Sequence, residues 1–210
     1  MTVGLERARV ARRGRRLQWL TIAWNSLEFV VALVAGLAAG SIALVGFGVD
    51  SGIEVASSVA ALLRLARDAD ERRRARAERR ALRLIGAGFL LLAGYVLYDA
   101  LASLATRRAP DESLAGIVLA ALSLVVMPLL ARAKRRVASR LESGALEAET
   151  RQTEICAWLS AILLAGLGLN AWLGWWWTDP LAALAMTPLI AREGWEALRG
   201  RTCCAGERSA

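Results

Sequence analysis

Histidine is absent from the 210 residues, cysteine occurs three times and proline four times. No nucleophile–base pair and no phosphate-binding glycine loop is recognisable, so the chain does not read as an enzyme. Charge is also missing from long stretches, which separate a few arginine-rich blocks. Hydrophobic residues make up 56%, little above the average of about 45–50% for soluble proteins, so their distribution decides the class. Six membrane spans of roughly 20 residues would use about 120 positions and leave only short loops and two tails. A sizeable soluble domain has no room.

The chain carries 27 Lys+Arg against 19 Asp+Glu, a net charge of +8. Six arginines lie between Arg7 and Arg16, nine between Arg64 and Arg83, and five basic residues between Arg132 and Arg140. No aromatic residues are interleaved with them to stack bases, so nucleic acid is not the expected partner. Short basic loops beside apolar spans are the positive-inside signal of a membrane protein.

The sequence predicts an all-α bundle of six membrane helices. The spans run from Leu17 to Ala39, Ile42 to Leu63, Leu82 to Ala105 and Ser113 to Ala131. A fifth begins between Ser143 and Thr153 and ends near Ala171; the sixth covers Pro180 to Ala191. A basic arm (1–16) precedes this domain (17–191), and a short tail (192–210) follows. Six spans put the arm, the 64–83 and 132–140 loops and the tail on one side, with 24 of the 27 basic residues. Both termini are therefore expected in the cytoplasm, and the protein in a cell membrane of the bacterial inner type. The Leu17–Ala39 stretch exceeds a signal peptide's apolar region of about 7–15 residues, so it reads as an uncleaved span. Trp172, Trp175, Trp176 and Trp177 read as an interfacial belt, and Asp179-Pro180 as the start of the last helix, with Asp as its N-cap.

Ionisable groups inside a bilayer cost about 2.5–3.5 kcal/mol each on insertion scales, so each needs a partner or a purpose. Asp50 and Glu54 stand four residues apart, on one face of the second helix, and Ser57 continues the stripe. Asn25 and Glu28 lie three apart in the first. Glu149, Gln152, Thr153, Cys156 and Ser160 form a polar stripe on the fifth. If the second and fifth helices pack antiparallel, Asp50 can face Cys156 and Glu54 can face Gln152. Two carboxylates, a thiol and an amide oxygen then converge near the midplane and suit a divalent cation, the thiolate favouring zinc, cadmium or similar metals. Residues 41–65 also match 143–167 at a fixed offset, with Ser41/Ser143, Leu44/Leu146, Ile53/Ile155 and Ser58/Ser160 among the identities. An inverted repeat around a midplane site would produce such a match.

Several elements taken in order resemble the cation diffusion facilitator family: Asn25, the Gly36…Gly40-Ser41-Ile-Ala-Leu44 hairpin, Asp50-x-x-x-Glu54, Ala148-Glu149-Thr-Arg151-Gln152-x-x-x-Cys156 and Asp179-Pro180-Leu-Ala-Ala. The resemblance implies a six-helix transporter, usually a homodimer, exporting zinc or another divalent metal from the cytosol in exchange for protons. The metal is then a transported substrate, and no tightly bound cofactor is expected. The carried-over metal positions are Asp50, Glu54, Gln152 and Cys156. Glu28, Asn25 and Glu149 are candidates for the proton or approach path. The chain departs from the family in lacking histidine, in a Gln/Cys pair where His/Asp is usual, and in having no cytoplasmic metal-binding domain before Ala210. Two other functions compete: a proton-coupled exporter of organic cations working through Glu28, and a non-transporting membrane interaction protein with a decayed metal site.

Overall fold

A computed structural model describes residues 2–66, 71–107, 110–141 and 144–199. Six helices follow one another: α1 (Thr2–Ala39), α2 (Ile42–Ala66), α3 (Glu71–Thr106), α4 (Leu114–Leu141), α5 (Gly144–Leu173) and α6 (Thr178–Leu198). Five of them contain segments long and apolar enough to cross a membrane; α6 is the exception by that measure. The basic arm is continuous with α1, whose Val10 and Leu17 pack against Val137 and Ala138 of α4.

Turn chemistry explains where the helices stop. Gly40 takes φ 65° after α1, and the Ser41 amide donates back to the Gly36 carbonyl at 3.0 Å, a Schellman closure. Ser41 Oγ then accepts from the Leu44 amide at 3.1 Å and caps α2. Ser113 Oγ caps α4 by accepting from the Gly116 amide. Gly174, at φ 64°, ends α5, its amide donating to the Asn170 carbonyl at 2.9 Å.

The three short loops are tied together at one end of the bundle. The Asp111 amide donates to the Ala39 carbonyl at 2.8 Å, and Asn170 Nδ2 donates to the Pro110 carbonyl at 3.3 Å. Asp179 departs from its expected role as cap of its own helix. It accepts from the Ser41 hydroxyl, and the open Ile42 and Ala43 amides at the start of α2 stabilise its carboxylate. Trp175 and Trp177 stack at this end with centroids 5.2 Å apart.

Helix α1 packs chiefly on α2 and α4, α4 on α5, and α3 on α6, while α2 also touches α3, α5 and α6. Helices α3 and α6 approach closely. A Cβ on Gly86 would stand 2.7 Å from the Gly194 carbonyl oxygen, so only glycine permits that crossing. The polarity is that of a membrane bundle. Leu37, Leu91, Leu114 and Trp172 are 71–90% exposed, whereas Asn25, Glu28, Ser123 and Thr153 are fully buried.

Candidate functional site: a polar seam with paired charges

Four helices turn polar faces inward. On α1 the buried residues Gln18, Thr21, Asn25 and Glu28 recur at steps of three and four, one helical face. On α2 they are Asp50, Ser51, Glu54 and Ser58. Ser58 rather than the half-buried Ser57 continues the stripe, because it lies a full i+4 step from Glu54. On α5 they are Thr150, Thr153, Cys156 and Ser160, and α4 adds Ser123 and Lys134.

Asp50, Cys156 and Glu54 are brought together. Cys156, a free, buried cysteine, stands near enough to both carboxyl groups to interact with them. Both acids project from α2, and the thiol comes from α5, which packs against it. Carboxyl groups so close, shielded from water, repel strongly when ionised, and a cation is the natural remedy.

One cation is already present. Lys134, 3% exposed, places Nζ 3.8 Å from Glu54 Oε1. Thr153 bridges the two, its hydroxyl accepting from Lys134 Nζ at 2.9 Å and donating to Glu54 Oε1 at 2.6 Å. Sequence reasoning placed Lys134 in a basic loop with its arginine neighbours. A usable signal existed, since Lys134 is the only lysine among the 27 basic residues.

Glu28 forms a second cluster. It accepts from Trp24 Nε1 on its own helix, from Ser51 Oγ of α2 at 3.1 Å and from Ser123 Oγ of α4. Three helices thus converge on one carboxylate, close enough to Asp50 and Glu54 to feel their charge. One turn away, Asn25 Nδ2 donates to the Thr21 carbonyl at 3.0 Å. Its Oδ1 is buried with no hydrogen-bond partner among the described residues.

The remaining expected residues fare differently. Gln152 is half-buried, and its neighbour Thr153 is hydrogen-bonded to Glu54. The side chain of Glu149 lies outside the described residues. Among the described residues, no group of three or more His, Cys, Asp or Glu side chains is arranged to hold a metal ion.

Comparison with known proteins agrees with this architecture. A family model described as the cation efflux transmembrane domain matches residues 19–200. A curated protein of Synechocystis sp. (strain ATCC 27184 / PCC 6803 / Kazusa), described as an uncharacterized transporter, is 29% identical over 182 residues. That alignment takes in 84% of this chain, which spans only 59% of the relative's length.

Proposed function

Because the chain belongs to the cation efflux family, we propose that it exports divalent metal cations from the cytoplasm in exchange for protons. Zinc is the leading substrate, with cadmium or cobalt as close chemical kin. The observation that carries this reading is the meeting of Asp50, Cys156 and Glu54 inside the helical bundle. A soft thiolate between two hard carboxylates is a donor set for a borderline metal.

Metal approaches from the basic end of the bundle and exchanges its water for Asp50, Glu54 and Cys156, with Gln152 the fourth ligand. Metal ligands must be deprotonated, so binding releases protons from the carboxyls and the thiol. Rocking of the bundle then opens the site toward the tied loops, where incoming protons compete for the same carboxylates and free the metal. Glu28, held by donors from three helices, is the group through which protonation is felt by the packing of α1, α2 and α4; Asn25 beside it and Glu149 nearer the basic end belong to the same path. The working form is a homodimer in a bacterial inner membrane, with both termini cytoplasmic.

The test measures uptake of several divalent metals into vesicles, with and without a pH gradient, for wild type and Cys156→Ser. Selective loss of zinc and cadmium movement in the variant supports the thiolate as ligand. Failure of the wild type with every metal sinks the proposal. One observation favours a second reading, a non-transporting membrane protein that kept the fold. Lys134 stands at Glu54, where a bound cation would otherwise be the counter-charge.

A further inference from the structure

We propose that the Lys134 ammonium is a tethered counter-cation, holding the Glu54 end of the site while no substrate ion is bound and exchanging with the ion that arrives. This inference rests on reading Asp50, Glu54 and Cys156 as a cation site.

Three features support exchange over a permanent ion pair. First, Lys134 lies one turn before Val137 and Ala138, which pack on Val10 and Leu17. It therefore sits toward the end of the bundle opposite the tied loops, between Glu54 and the side from which a cytoplasmic ion comes. Its flexible four-carbon stem lets the ammonium withdraw toward that end. Second, the charges stand apart: the ammonium is 3.8 Å from Glu54 Oε1, and the neutral Thr153 hydroxyl lies between them, 2.9 Å from the ammonium. A guanidinium could clamp a carboxylate with two parallel hydrogen bonds; lysine offers a compact point charge. In a chain whose other basic residues are all arginine, the exchangeable cation stands at the acid. Third, the Thr153 oxygen already turns a lone pair toward a positive charge. When the ammonium leaves, that oxygen faces the incoming ion beside Glu54.

The consequence is an affinity lower than the donors would give by themselves. A site open only in the fraction of molecules whose lysine is withdrawn binds correspondingly more weakly.

The test uses the purified full chain with Cd2+ as probe, binding being measured by equilibrium dialysis. Lys134 is the only side-chain amine, so reductive methylation followed by peptide mass spectrometry reports on it alone, with the α-amino group as internal reference. Saturating Cd2+ should accelerate methylation of Lys134 by about tenfold or more, and Lys134→Met should tighten Cd2+ binding by at least about tenfold. Thr153→Val, which keeps both charges, should tighten binding in the same direction and by less. Binding seen only in Lys134→Met also supports the exchange. Cd2+ that binds wild type and Lys134→Met equally, with methylation unchanged, overturns the inference and leaves the transport reading standing. Binding by no form of the protein overturns both.

Discussion

Thr153 of α5 donates a hydrogen bond from its hydroxyl to Glu54 of α2 at 2.6 Å while accepting one from Lys134 of α4 at 2.9 Å. One hydroxyl therefore joins three helices, and its two bonds have a fixed sense: cation to threonine to carboxylate. The packing of α4, α5 and α2 is coupled to charge at the site.

That coupling has a stability signature. Glu54 and Lys134 are 1% and 3% exposed, and removing one partner of a buried pair costs about 3–5 kcal/mol. Glu54→Gln and Lys134→Met should each lower the midpoint of thermal unfolding in detergent. The double variant should recover most of the loss. Additive losses would show that the two charges are independent.

Asp50→Asn keeps the volume of the side chain and removes its charge. Efflux of zinc from loaded vesicles should be abolished while the amount of protein in the membrane stays at the wild-type level. Unchanged efflux would falsify the assignment of Asp50 as a ligand.

The Glu28 cluster predicts a graded series. Leaving a buried carboxylate short of a donor costs about 1–3 kcal/mol. Ser123→Ala and Ser51→Ala should each destabilise by that order, because each removes a donor from another helix. Glu28→Gln should be the worse lesion, since an amide must accept and donate where only donors surround it. Equal midpoints for Ser123→Ala and wild type would contradict the convergence of three helices on Glu28.

Glycine placement separates packing from propensity on a single helix. Gly86→Ala drives a methyl into the Gly194 carbonyl, and such overpacking costs about 1–3 kcal/mol. Gly88→Ala, two residues on, meets open space. There alanine should be neutral or stabilising by about 0.5–1 kcal/mol through backbone entropy. Unfolding midpoints of the two variants, compared side by side, read the difference directly.

Much of the fold was legible from the chain. Long uncharged stretches, glycine turns and arginine blocks are local features, and they set six helices with three short loops gathered at one end. The face shared by Asp50 and Glu54 was legible too, since helical spacing alone puts them there. Pairing Asp50 with Cys156 and Glu54 with Gln152 needed one assumption, that α2 and α5 pack antiparallel, and the two helices are in contact. The error at Asp179 had a physical cause. An aspartate before a proline satisfies the local rule for a helix start, yet the fold brings Asp179 to the Ser41 hydroxyl at the start of α2, 138 positions away.

Span number, loop positions and the acidic face of α2 come from length, composition and periodicity, which each segment carries in itself. The rotation of each helix about its axis is not local. It depends on which side chains interlock with neighbours, so Thr153 meets Glu54 and Ser123 meets Glu28. The direction of a long flexible side chain is less local still. Lys134 belongs by sequence to a basic block, yet a buried carboxylate draws its ammonium into the bundle, because an unpaired charge in a low-dielectric interior is more costly than an extended lysine.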